Sequence, residues 1–224
     1  MPPYVFHFEV PLAHLPFLLQ GAWVTLQVSF VAVCAGLAIG IAGAAFRTSG
    51  LPVLAAPATA YVEFVRNTPL LVQVFFFYFG LPDLGVDLDP LEASVLALSV
   101  NGGAYFTEII RGGIESIPRG QIEASRSLGL TRPQVLRYVV LPQALRVVIP
   151  PIGNECLLLL LGSSVCSTVT LPELTYNAGI LESRTFRSFE TYLFTLGLYF
   201  AMAQLLATAV KLAGRQVELK EAQP

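Results

Sequence analysis

Glu63, Arg66, Glu108 and Glu155 lie within apolar stretches long enough to exclude water. A charge inside a bilayer is costly and is usually kept for a purpose. Such residues can pair between helices and fix their positions. They can also relay protons or ions, or line the path and inner gate of a polar solute. Counted at 1.5 Å per residue from the inner end of its span, Glu63 falls roughly 12 Å deep, Arg66 roughly 16 Å and Glu155 roughly 12 to 16 Å. Glu108 falls nearer the inner surface. Glu63 and Arg66, three apart, are also placed to pair along one helix.

A second, uncharged set falls near mid-membrane. Asn101, Gly102 and Gly103 occupy one stretch, and Gly162, Ser163 and Ser164 another, with Ser167 and Thr168 beyond. Pro150 and Pro151 are expected to break that second stretch and free backbone carbonyls, which a membrane tolerates only against protein or a water-lined cavity. Hydroxyls, an amide and open backbone dipoles suit a zwitterionic solute; Gly and Ser equally suit close helix packing. Glu63, Arg66, Asn101, Glu108, Asn154, Glu155, Gly162, Ser163 and Ser164 are therefore the candidate substrate pathway or gate.

The elements that must hold these residues are read from composition. Of the 224 residues, 54% are hydrophobic and only 12% charged, and the mean hydropathy is +0.67. Soluble domains carry about 25% charged residues. The expectation is an all-α polytopic membrane protein, one domain over residues 1–224. Five spans are predicted, at about 22–46, 55–80, 93–111, 144–171 and 191–211, with a cytoplasmic loop at about 116–142. Residues 1–20, rich in proline, read as an interfacial lead-in, and 172–190 as an outside loop.

Arg47, Arg111, Arg119, Arg126, Arg132, Arg137, Arg146, Lys211, Arg215 and Lys220 then fall inside, and only Arg184 and Arg187 outside. That asymmetry puts the N-terminus outside and the C-terminus in the cytoplasm. No basic n-region precedes the first span, so no cleavable signal peptide is expected. Five spans do not divide into equal inverted halves, against the common plan of secondary transporters. Cys34, Cys156 and Cys166 read as small buried hydrophobes, and the two histidines lie far from them, so no metal site is expected. No basic run suggests nucleic acid. The only lysines, Lys211 and Lys220, follow no glycine-rich loop, so no P-loop ATPase and no enzyme activity are expected of this chain.

The longest polar segment, Glu123 to Pro142, has its own internal design. Gly129 stands where a helix end needs positive φ. Thr131 and Gln134 read as a capping box opening a second helix, with Pro133 in its first turn. Pro142 is expected to mark the next break. The result is a helix, a turn and a helix presented to the cytoplasm.

Glu123-Ala124, Gly129 and Leu141-Pro142, at these spacings, resemble the EAA loop in the membrane subunits of ATP-binding-cassette (ABC) importers. Gly21 to Leu26, Phe64 to Gln73, Gly103-Ala104-Tyr105 with Glu108 and Arg111-Gly112-Gly113, Gly153-Asn154-Glu155, and Arg184-Thr185-Phe186 with Glu190 are similar to the polar amino acid permease subfamily. The likeness covers about residues 20–215. It implies a type I importer permease of the bacterial inner membrane, with Glu123, Ala124, Ser125, Leu128 and Gly129 forming a coupling helix that docks on a separate ATPase. ATP and Mg2+ would bind that partner, and no cofactor this chain. A second permease (a copy or a homologue), an extracytoplasmic solute-binding protein, a polar amino acid and membrane lipid complete the expected partners. Ser125 departs from the second alanine of many relatives. Leu161 and Gly162 stand where many have Lys-Asp, which makes a cationic solute a poorer fit. The alternatives from other classes are an ion-coupled transporter or channel without an ATPase, and a membrane scaffold.

Overall fold

The computed structural model describes residues 5–221, with the side chains of 213 and 215–221 excepted. Regular structure among the described residues is helical throughout. The helices are α1 (Glu9–Ala13), α2 (Leu15–Thr48), α3 (Pro52–Arg66), α4 (Leu70–Phe75), α5 (Pro90–Glu115), α6 (Arg119–Ser127), α7 (Arg132–Val135), α8 (Leu141–Gly162), α9 (Leu174–Thr185) and α10 (Ser188–Glu221). Stretches long and apolar enough to cross a membrane are Leu15–Thr48, Pro90–Glu115, Arg132–Val169 and Ser188–Leu212. The side chains of the tail cations Arg215 and Lys220, and the residues Pro2 and Pro3 of the lead-in, lie outside what is described.

Residues 55–80, expected as one span, form two pieces. Helix α3 has 15 residues, about 22 Å at helical rise, short of a bilayer core. Pro69 donates no N–H and pushes Thr68 out of helical geometry. Phe64 O, left open, accepts from the Thr68 hydroxyl at 3.0 Å, and Glu63 O, already bonded to Asn67 N–H at 3.1 Å, also accepts from Asn67 Nδ2 at 2.7 Å. After Pro69, α4 resumes and runs into a π-helical turn, Phe76–Gly80.

The breaks expected at Pro142 and at Pro150-Pro151 are absent. Helix α8 runs unbroken through Pro150 and Pro151 and gives way only at Gly162, where a 3-10 stretch, Ser163–Val169, takes over. Pro142 is the second residue of α8, just after a π turn in which Leu141 N–H donates to Leu136 O, and the helix continues past it. The expected outside loop 172–190 contains helix α9.

The chain divides into two compact units. The first comprises residues 1–33, 69–98 and 158–206. Its apolar core is Leu18, Ala22, Leu160, Leu174, Ala178, Leu181 and Met202. The second comprises residues 34–68, 99–157 and 207–224. There α2 and α5 touch backbone to backbone: a Cβ on Gly36 would sit 3.2 Å from Ser99 O and Gly103 N, and one on Gly40 would overlap Phe106. Val62, Val65 and Ala104 pack alongside. Small residues in a row allow this approach. Cys156 and Cys166 are buried, as expected, but Cys34 is exposed.

Candidate functional site

Two features of the second unit carry the candidate residues. One is the α6–α7 loop. Helix α6 ends in a Schellman turn: Leu130 N–H donates to Ser125 O at 3.3 Å and Gly129 N–H to Arg126 O at 2.9 Å. Gly129 has φ +84°, a conformation cheap only for glycine. Thr131 N–H then donates to Gln134 Oε1 at 2.8 Å, completing the capping box. Beneath the loop Ile117, Val135 and Val140 are buried, with Ile114, Ile122, Leu130 and Val139 against them. Glu123, Ala124 and Gly129 are exposed, and Leu128 is 82% exposed. Ser125 faces inward instead, its hydroxyl donating to Ile122 O at 2.8 Å. It supports the loop from below and leaves the outer face to Glu123, Ala124 and Leu128.

The other feature is a charged cluster around Glu108 on α5. Arg47, at the end of α2, donates to Glu108 Oε1. Arg111 Nη2 donates to Oε2 at 2.9 Å and pairs with Glu115 at 2.5 Å. Arg66, at the end of α3, stands 3.6 Å from Oε2, beyond hydrogen-bond reach. Its guanidinium lies over the Tyr105 ring at 5.2 Å. Arg47, Val62, Glu63, Arg66, Asn67, Tyr105 and Glu108 line a cavity of about 340 Å³. Arg66 therefore pairs across to α5 rather than along its own helix with Glu63.

The remaining candidates divide between the units. Asn101 and Glu155 are buried in the second unit, and Asn154 there is exposed. Gly162, Ser163 and Ser164 belong to the first unit. The Ser163 hydroxyl donates to Leu160 O and that of Ser164 to Leu161 O, each at 2.7 Å. Ser167 and Thr168 bond back the same way. These hydroxyl protons serve their own helix.

Sequence reasoning missed the partners of Glu108. In the sequence, Arg47 and Arg111 count only among the inside cations, Arg111 also within a motif, and nothing there ties either to Glu108. It also missed a buried polar node in the first unit. Glu173 is wholly buried and caps α9, accepting from Tyr176 N–H at 2.8 Å. The Tyr199 hydroxyl donates to it at 2.7 Å and the Thr25 hydroxyl at 3.3 Å, while Thr25 Oγ1 accepts from Leu174 N–H at 3.2 Å. Burial pushes the Glu173 carboxyl above its ordinary value, against these hydrogen bonds, which pull it down. An acidic residue directly before an apolar periodic run was the available signal of a helix N-cap.

Comparison with known proteins gives concordant matches. Residues 23–216 match the family described as binding-protein-dependent transport system inner membrane component. The chain is 37% identical over 204 residues to the probable amino-acid ABC transporter permease protein YckA of Bacillus subtilis (strain 168), covering 91% of this chain and 90% of the relative. It is 38% identical over 200 residues to the probable glutamine ABC transporter permease protein GlnM of the same organism, covering 89% and 93%. A solved amino acid ABC transporter crystallised with histidines superposes with a TM-score of 0.89 at 36% identity, over 95% of this chain and 100% of that one.

Proposed function

Because the chain belongs to the family of inner-membrane components of binding-protein-dependent transport systems, we propose that it forms the solute path of an ATP-driven importer for a polar amino acid. A separate ATPase binds ATP and Mg2+ and docks on Glu123, Ala124, Leu128 and Gly129. A second permease, copy or homologue, completes the path, and an extracytoplasmic binding protein delivers the solute at the outer face. ATP favours one conformation of the assembly, and the coupling loop passes that bias to the membrane helices. The cation asymmetry of the sequence supports an outside N-terminus and a cytoplasmic C-terminus. Glu63, Arg66, Glu108 and Glu155, with Asn101 and Asn154, serve the inner part of the path, and Gly162, Ser163 and Ser164 another part. Relatives named for glutamine and the uncharged Leu161 and Gly162 favour a solute without a cationic side chain.

One observation carries this reading. Leu128, 82% exposed, is an apolar knob held out by a capped turn on a buried base. A rigid, solvent-facing leucine of this kind fits a groove on a partner. The test is purification of the tagged chain from its own cells in mild detergent. The wild type should bring down an ATPase in stoichiometric amount, and Leu128→Asp should reduce that yield by about 10-fold, the loss expected of an interface anchor. A wild-type chain that emerges without an ATPase, under conditions that preserve other complexes, would shift the reading to an ion-coupled transporter.

A further inference from the structure

The cavity beside α3 contains a cation and an anion that the Glu108 cluster does not use up. Glu108 is engaged by Arg47 and Arg111 through hydrogen bonds. Arg66 forms an ion pair with Glu108 at 3.6 Å, too long for a hydrogen bond, so its N–H donors stay open among the described residues. Tyr105 covers one face of its guanidinium and holds the plane in place. A planar guanidinium with a free edge is suited to a two-point bond with a carboxylate. One helical turn back on the same helix, Glu63 is exposed and lines the same cavity. The cavity's about 340 Å³ falls at the lower end of the ~300–1,000 Å³ of small-molecule sites.

We propose that this cavity is a second amino-acid site, in which Arg66 holds the α-carboxylate and Glu63 holds the α-ammonium of a free amino acid. This rests on the importer reading and adds a receiving station to it, separate from Gly162, Ser163 and Ser164. Val62 and the Tyr105 ring, which Arg66 already covers, are the only apolar surfaces among the described lining residues, so the site grips the backbone of the solute and discriminates little by side chain. Glutamine is therefore a valid probe whichever amino acid is carried. Ionic contacts without an apolar pocket give weak, fast exchange, which suits release into the cytoplasm. A lipid headgroup with a phosphate and an ammonium offers similar chemistry and is the competing occupant.

The test needs a local readout, because glutamine can also occupy the rest of the path. Asn67→Cys, in a Cys34→Ser background, places a thiol at the cavity of the assembly as purified and put into nanodiscs. Glutamine should slow its alkylation by a membrane-impermeant thiol reagent. Glutamine methyl ester, without the carboxylate, and the deaminated analogue, without the ammonium, should not. Glu63→Gln and Arg66→Gln should each raise the half-protecting glutamine concentration at least about 10-fold, the loss expected for one charge-assisted bond. Equal protection by the ester, or none by glutamine, would overturn the proposal. So would protection that appears without glutamine when phosphatidylethanolamine replaces phosphatidylcholine in the disc, since the occupant would then be lipid. Protection in an assembly whose ATP hydrolysis no amino acid stimulates would uphold the site and sink the importer reading. Stimulated hydrolysis without protection would do the reverse.

Discussion

Removing Glu173 tests whether the buried node in the first unit fixes α9. The carboxyl accepts from Tyr199 at 2.7 Å, Tyr176 N–H at 2.8 Å and Thr25 at 3.3 Å. The last bond is long and counts for little. Glu173→Ala leaves the first turn of α9 without its acceptor, and leaves the Tyr199 hydroxyl with Thr175 Oγ1, at 2.8 Å, as its remaining partner. An orphaned buried group costs about 1–3 kcal/mol and a lost but replaceable bond about 1 kcal/mol, so a loss of ~2–4 kcal/mol is expected. Glu173→Gln keeps one acceptor oxygen at nearly the same volume and should lose only about 1–2 kcal/mol. The assay is denaturant or thermal unfolding of the purified chain in detergent, with Tyr199→Phe added to close a double-mutant cycle. The cycle should return a coupling of about 1–2 kcal/mol between Glu173 and Tyr199.

The pH dependence gives an independent check. Burial raises the folded-state value of Glu173 above the unfolded one, so the folded chain holds this proton more tightly. The penalty is absent below the ordinary carboxylate value and grows as pH rises from there to the folded value. Wild type should therefore gain stability relative to Glu173→Gln as pH falls through that window. A Glu173→Ala loss under about 0.5 kcal/mol, the range of an inert surface change, would refute the reasoning. Equal damage from Gln and Ala, or a cycle with no coupling, would refute it as well.

Two further substitutions probe the second unit. Glu108→Gln leaves Arg47, Arg66 and Arg111 around a neutral amide; because their side chains are 16%, 41% and 27% exposed, water softens the loss to about 1–2 kcal/mol in the same unfolding assay. Gly129→Val forces a β-branched residue to φ +84°, a strain of at least about 1–2 kcal/mol, and should uncouple ATP hydrolysis from solute uptake in proteoliposomes at unchanged abundance. Normal coupled uptake in Gly129→Val would count heavily against a docking role for this turn.

The α6–α7 loop was legible because its signals are local. Gly129, Thr131 and Gln134 each act within one turn of the chain, and the Schellman turn and capping box appear at those residues. The all-helical membrane fold followed from composition for a similar reason: apolar length is a property of the stretch itself. The Glu108 cluster was only half legible. A buried acid announces a partner, but the partner came from the end of α2, and nothing within α2 marks Arg47 as turned toward α5. Glu173 was less legible still, since its donors lie 148 and 26 residues away along the chain.

The prolines show why helix breaks were misplaced. Each one removes a donor, so the carbonyls one turn back need other partners or must stay exposed. Before Pro69 stand Asn67 and Thr68, whose side chains fold back onto Glu63 O and Phe64 O. Glu63 O also keeps its helical bond from Asn67 N–H, and the Thr68 hydroxyl takes the Phe64 O that the helix abandons, so ending the helix there costs little. Before Pro150 stand Val148 and Ile149, which carry no group able to do this. A break there would strand several backbone groups in an apolar setting, whereas continuing the helix leaves open only the carbonyls that the two missing donors would have met. The continuous helix α8 is the cheaper outcome. Proline alone does not decide where a membrane helix ends; the polarity of the two residues before it does.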